Sequence, residues 1–355
     1  MAITSDTAFA GAVLGTAVGD ALGLPREGLS RRRAARVFGG PPLGHRFVFG
    51  RGMVSDDTEH TCMVAQALIA SRGEPDRFAR SLAWRLRGWL LGLPAGVGFG
   101  TLRAVAKLLI GFPPSLSGVR SAGNGPAMRA AVVGLYAGEN GALLRELVQR
   151  STRITHTDPR AFEGALVVAL GARYGAARGA DGIDAWSFIE EMIAAVSGDE
   201  LIGHLRSVRD FLREDRSAEA FADHIGQVRG VGGYVNHTVP VALFCWLKHR
   251  HDFRRALETA ICLGGDTDTV GAIVGALAGA TLGPDAIPAA WRGRLIEWPR
   301  SVRWLRRLAS RLAGAATADS SAHPCRLFLP GLVPRNLLFL LVVLLHGLRR
   351  LVPPY

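Results

Sequence analysis

The chain has 355 residues, 48% apolar and 20% charged, with 44 Gly and 18 Pro. That excludes a disordered chain, a bundle made wholly of membrane spans and, for want of a G-X-Y period, a collagen. Lys+Arg 42 against Asp+Glu 30 gives +12, nearly all of it from Arg. A polyanionic partner fits that charge, which does not choose among nucleic acid, lipid headgroups and a pyrophosphate.

In chain order, residues 1–15 lack the basic stretch of a signal peptide, and Asp6 interrupts their apolar run. Residues 9–22 are dense in small and apolar residues with Asp20 the only charge, which predicts a buried helix. Residues 58–71 carry Cys62, Met63, Ala65, Leu68 and Ile69 at three and four spacing, and residues 78–90 alternate Arg with Leu and Trp. Helical patterning continues over 127–137, 141–152, 159–177, 184–197, 201–213, 217–225, 238–248, 252–263, 269–280 and 288–312. In the last of these, Glu297 and Pro299 interrupt a helix rich in Trp and Arg. Glycine- and proline-rich loops over 38–51, 92–100, 111–125 and 226–235 separate the runs. No alternating strand run and no βαβ rhythm is present, so the expected fold is all-α, a compact multi-helix domain over residues 1–316.

Residues 317–355 form an apolar and basic extension of unassigned role. Its run LLFLLVVLL (337–345) falls short of the roughly 17–25 residues that span a bilayer. Three readings stand, in this order: a buried closing segment, a poorly ordered tail, and a membrane-surface anchor. Cys62, Cys245, Cys262 and Cys325 match neither a zinc spacing nor a disulfide framework, which suits a reducing, cytoplasmic compartment. With no coiled-coil repeat, a monomer is expected. No helix-turn-helix, zinc pattern or aromatic-basic sheet points to a specific nucleic acid.

Two short acidic segments stand out among the arginines: Ser55-Asp56-Asp57-Thr58-Glu59 and Gly264-Gly265-Asp266-Thr267-Asp268-Thr269. Each precedes an apolar helical run. Alone, each reads as a helix N-terminus, where carboxylates are stabilised. Asp56 with Glu59 fits a capping box, and Asp268 can cap a helix beginning near Val270. Together they offer more carboxylates than caps need. Crowded carboxylates repel unless protonated or neutralised by a cation. An all-oxygen set of Asp and Thr suits Mg²⁺ or Mn²⁺ rather than zinc, and so many charges call for two ions.

Residues 121–129 (SAGNGPAMR) read as a small-residue turn and helix start, whose N–H groups either receive a phosphate or merely close the turn. Residues 96–101 (GVGFGT) lack the Gly-Lys-Ser/Thr of a nucleotide-hydrolase loop and follow no strand. Asp158 reads as a helix cap. His156 is a ligand contact or a loop hydrogen bond, and Tyr234 with His237 is a stacking platform or packing.

Four motifs in this order resemble the ADP-ribosylglycohydrolase family, which includes the dinitrogenase reductase-activating glycohydrolase. They are GAVLGTAVGDALGLPRE (11–27), Ser55-Asp56-Asp57-Thr58, GNGPAMR (123–129) and GGDTDTVG (264–271), and the resemblance spans residues 9–312. It implies an all-α fold with a binuclear Mg²⁺ or Mn²⁺ site in a central cleft, held by Ser55, Asp56, Asp57, Asp266, Asp268 and Thr269. It implies Glu27 and Asp57 as the catalytic carboxylates. Gly98, Gly100, Thr101, Gly123, Asn124, Gly125, Met128 and His156 would line an ADP-ribose cleft, with Tyr234 and Val235 bordering the adenine. The implied reaction is metal-dependent cleavage of ADP-ribose from a modified group, with arginine on a protein first. Serine-linked or small conjugates, or an inactive ADP-ribose-binding protein, are the alternatives. The partner would be an ADP-ribosylated protein or small conjugate.

Overall fold

Helix α1 (Ser5–Gly23) is the apolar N-terminal run, sealed inside the molecule. The computed structural model describes residues 5–317, 323–351 and 353. After α1 the chain enters a two-residue strand β1 (Leu29–Ser30), then α2 (Arg31–Phe38), α3 (Asp56–Ser71), α4 (Pro75–Leu91), α5 (Phe99–Leu109) and the single turn α6 (Pro114–Ser117). It continues through α7 (Ala131–Ala137), α8 (Gly141–Arg153), α9 (Pro159–Gly182), α10 (Ala185–Ala195), α11 (Asp199–Arg213), α12 (Ala218–His224), α13 (Val235–Lys248) and α14 (Phe253–Cys262). A second short strand β2 (Gly264–Gly265) pairs antiparallel with β1 and leads into α15 (Thr267–Leu282). The chain closes with α16 (Ala289–Arg292), α17 (Val302–Ala316) and α18 (Leu332–Arg349). Side chains cap many of the starts, among them Asn140, Asp158, Asp184, Ser217 and Asp252. The fold is a mostly helical, multi-helix one.

Residues 288–312 do not form one helix. The stretch breaks between α16 and α17 because Pro299 donates no backbone hydrogen bond and Glu297 turns inward. Helices α2, α5 and α18 lie outside the expected runs.

The centre of the fold is an antiparallel contact between α1 and α15 at backbone distance. Gly11, Gly15 and Gly19 face Gly279, Gly275 and Gly271 in turn. A Cβ on Gly15 would lie 2.0 Å from the Gly275 carbonyl oxygen, and one on Gly275 would lie 2.1 Å from that of Gly15. Only glycine permits that approach. Helices α9, α13 and α14 pack around α15, while α3 and α17 pack on α1. The consequence for the site is direct: the C-terminal half of α1, with Asp20, lies against the N-terminus of α15, with Asp268. The Thr267 hydroxyl donates to the Gly23 carbonyl at 2.8 Å across this junction.

The extension is bound to the domain by polar groups. Gln66 exchanges two hydrogen bonds of 2.7 Å with the Cys325 backbone. From α18, Arg335 enters the interior, donating to both Glu297 carboxylate oxygens at 2.7 Å and to the Val54 carbonyl at 2.6 Å. Glu59 completes the cluster, accepting from Arg300 at 2.6 Å and from Trp89 at 2.6 Å. Burial pushes the Glu59 carboxyl up, but Arg300 and Arg335 hold it below its usual range. Breaking a buried pair leaves an uncompensated charge. Arg335→Ala is therefore expected to destabilise the fold by about 3–5 kcal/mol, seen as a lower urea midpoint at unchanged slope.

Candidate active site

The two acidic segments meet. Ser55 is the N-cap of α3, its hydroxyl accepting from Asp57 N at 3.3 Å and donating to Asp57 Oδ2 at 3.1 Å. The Thr269 hydroxyl of α15 donates to the same Oδ2 at 3.3 Å and so joins the two helix ends. The expected caps do not form. Asp56 is inside α3, Glu59 is spent on Arg300 and Trp89, and Asp268 lies within α15, whose N-cap Asp266 makes no side-chain cap bond. The carboxylates gathered here are therefore not consumed in ending helices.

Asp20 sets the position of α3, a role its sequence context does not announce. It accepts from Ser55 N at 3.0 Å, from Thr58 N at 3.2 Å and from the Thr58 hydroxyl at 2.5 Å. Burial raises its pKa to about 7 against the pull of those donors. Burial first, and then neighbouring acids, push Asp56, Asp57 and Asp268 well above the carboxylate range. For Asp57 the neighbours are Asp20, Asp56 and Asp266; for Asp268 they are Glu27, Asp266 and Asp57. These folded-state values exceed the unfolded ones, so the stability these groups contribute is complete below about pH 4 and is lost as pH rises through the folded pKa values. The metal-free chain is expected to melt lower at pH 8 than at pH 5, measured by circular dichroism in chelator.

A cavity of about 320 Å³ opens beside these acids. Glu27, Asp56, Asp266, Asp268 and Thr269 form one wall, and Gly98, Gly100, Thr101, Gly123, Asn124, Gly125, Met128 and His156 form the other. Backbone pairing holds the rim. Gly123 bridges Tyr234, Val231 bridges Gly265, and Gly28 N donates to Gly265 O at 2.8 Å. Asn124 crosses the gap, donating to Asp266 Oδ2 at 2.6 Å and to the Thr238 hydroxyl at 3.1 Å. His156 is held by Thr155 at 2.9 Å, and its pKa falls to about 3 through burial and the nearby Arg129, so the ring is neutral. A Cβ at Gly100, Gly123 or Gly125 would touch that ring at 3.1–3.3 Å, so the three glycines leave its polar edge open to the cavity.

Four expected residues sit elsewhere. Asp57 and Ser55 lie behind the cavity wall, both buried. Val235 is fully buried, with its Cγ2 only 2.2 Å from where a Cβ on Gly164 would stand. Tyr234 lies at the rim rather than on the wall; its hydroxyl donates to Glu200 and accepts from Arg160 at 3.2 Å.

Glu27 hangs from a short turn that α18 secures. Arg350 donates to the Glu27 and Pro25 carbonyls, each at 2.7 Å. Glu27 is exposed at the cavity; partial desolvation and then Asp266 raise its carboxyl, while Arg350 pulls it back. Arg350→Ala is expected to lower kcat about tenfold with little change in KM. It should also move the Glu27 limb of the pH–rate profile to higher pH, a shift that mere loosening of the fold would not produce.

Among the described residues, no three His, Cys, Asp or Glu side chains converge tightly enough to form a ready metal cage. The donor set nevertheless fits hard divalent cations. Asp57 Oδ1 and Asp268 Oδ1 are buried without any hydrogen-bond partner, and every candidate ligand is oxygen. Orphaned, mutually repelling carboxylate oxygens are what a cation would satisfy.

The family model described as ADP-ribosylglycohydrolase matches residues 2–322. An uncharacterized protein of Archaeoglobus fulgidus is 30% identical over 317 residues, covering 86% of this chain and 95% of that protein. The ADP-ribosyl-[dinitrogen reductase] glycohydrolase of Rhodospirillum rubrum is 29% identical over 293 residues, with 80% and 89% covered. The ADP-ribosylhydrolase ARH3 of Homo sapiens is 28% identical over 278 residues, with 67% and 73% covered. Among solved structures, one from an ADP-ribosylglycohydrolase-related protein complex superposes with a TM-score of 0.64 at 30% identity, over 89% of this chain and 99% of that one.

Proposed function

Because the chain belongs to the ADP-ribosylglycohydrolase family, we propose that it is a metal-dependent hydrolase cleaving the glycosidic bond between ADP-ribose and a modified group, arginine on a protein foremost. Family membership supports ADP-ribosylglycohydrolase activity in general; the arginine linkage and the metal pair are our reading. The observation that carries it is a pair of buried, unpartnered oxygens at one wall of a polar cavity, on Asp268 within the wall and on Asp57 behind it.

Ser55, Asp56, Asp57, Asp266, Asp268 and Thr269 would hold two Mg²⁺ or Mn²⁺ ions. Such ions, when bound, supply Lewis acidity and neutralise the carboxylates. The remaining work falls to the chain. Asn124 fixes the Asp266 carboxylate, and Asp20 fixes the end of α3, so the acidic wall is set before substrate arrives. Glu27 faces the cavity with a raised pKa, suited to taking a proton from an attacking water and returning it to the leaving group. Backbone N–H groups at the start of α5, whose N-cap is Gly98, offer donors to a pyrophosphate without an arginine cluster. Neutral His156 adds a hydrogen bond and no charge.

The test is release of ADP-ribose from arginine-linked, serine-linked and free ADP-ribosyl substrates with Mg²⁺, Mn²⁺ or chelator. Metal-dependent release from the arginine conjugate is expected. Release from the serine or small-molecule conjugate alone would replace the linkage. Metal-dependent ADP-ribose binding without turnover would mark a binding protein.

A further inference from the structure

Helix α18 is inside-out for a surface helix. Its polar side chains face the domain: Arg335 pairs with Glu297, Asn336 donates to the Gly92 carbonyl at 2.7 Å, His346 contacts the Pro25 carbonyl at 2.8 Å, and Arg350 holds the Glu27 turn. The outward side carries Leu337, Leu338, Leu341, Leu344, Leu345 and Leu348, each 52–59% exposed. Arg349 is the one charged side chain that this helix turns to solvent. Soluble helices place these two faces the other way round. The contiguous stripe from Leu337 to Leu348 runs about 17 Å along the helix, and so marks an interaction site.

The charge around the stripe selects the occupant. Chain segments bordering it carry no acidic residue between Glu27 and Asp56, nor after Asp319. The first segment holds Arg31, Arg32, Arg33, Arg36, Arg46 and Arg51. Helix α2 abuts the end of α18, with Arg33 donating to the Arg350 carbonyl at 2.5 Å and Phe38 stacked on His346 at 5.5 Å. At the other end, exposed Trp298 and Phe328 meet at 5.6 Å beside Arg326. A second copy of the chain would bring the same arginines to the rim. An anionic lipid surface supplies the opposite charge, with aromatic side chains at headgroup depth.

Residues 329–349 are long and apolar enough to cross a bilayer, at mean hydropathy 1.8. Their polar face, however, is pinned along the domain by Arg335 and Arg350. We propose that α18 is an in-plane membrane-docking helix, its leucine face sunk to headgroup level on anionic phospholipid while the arginines of α2 and Arg349 contact the headgroups. The cleft would then lie at the bilayer surface, since the same helix holds the Glu27 turn.

The test is co-sedimentation of the full chain with phosphatidylcholine vesicles with and without phosphatidylglycerol, beside its mass in solution. Sedimentation with the anionic vesicles is expected, weakening with salt. The double substitution Leu341→Asp, Leu344→Asp should reduce it about tenfold or more while leaving circular dichroism and ADP-ribose release unchanged. Arg32→Glu with Arg349→Glu should remove the preference for anionic lipid. The proposal is overturned if the chain stays in the supernatant with both vesicles, or if the leucine double variant sediments like the parent. It is also overturned if the parent is a dimer that this variant dissolves and neither binds lipid.

Discussion

Asp57→Asn and Asp268→Asn are each expected to lower turnover by about a hundredfold or more while raising the melting temperature of the metal-free protein. The two effects share one cause. Both carboxyls are buried, both keep an oxygen without a partner, and both are pushed up by burial and by other acids. In the metal-free fold an amide relieves that repulsion at little change of shape. In the proposed metal-loaded enzyme the same amide would remove an anionic ligand. A merely structural aspartate would behave oppositely, losing stability on substitution and keeping activity in whatever remained folded. Thermal melts in chelator beside steady-state rates in Mg²⁺ or Mn²⁺ separate the cases.

Gly15→Val is expected to abolish soluble folded protein. Overpacking a flexible core costs about 1–3 kcal/mol, but here the added atom meets the Gly275 carbonyl at 2.0 Å, on backbone that cannot swing away. The helices must separate, and the ends carrying Asp20 and Asp268 separate with them. A domain stable by about 5–15 kcal/mol has little room for that. Gly88→Ala is the control: no atom lies within 4 Å of its Cβ, so this exposed position in α4 should gain about 0.5–1 kcal/mol. Expression in the soluble fraction and thermal melting of the two variants measure the contrast.

Helices α3, α9 and α15 are legible because their apolar and small residues run almost unbroken along the local sequence, as buried helices require. Helix α2 is not: RRRAARVF buries Ala34 and otherwise shows arginine. Helix α5 hides behind glycines that read as loop, although Gly98 is its N-cap. Helix α18 hides behind Pro334, which the first turn of a helix tolerates. Within the site, the Asp56-Asp57 and Asp266-Asp268 pairs stand out because together they offer more carboxylates than two helix starts need. Asp20 carries no such signal, being one acid in a buried helix. The Glu59, Arg300, Arg335 and Glu297 cluster is invisible for another reason: its partners lie on α3, α18 and the break before α17, and no local spacing joins them.

The most direct measurement is ADP-ribose release from an ADP-ribosylated arginine substrate as Mg²⁺ or Mn²⁺ is titrated into chelator-stripped protein. The account predicts no release at the start, recovery that saturates with metal, and no recovery in Asp268→Asn. Full release from the stripped protein before any metal is added would contradict it.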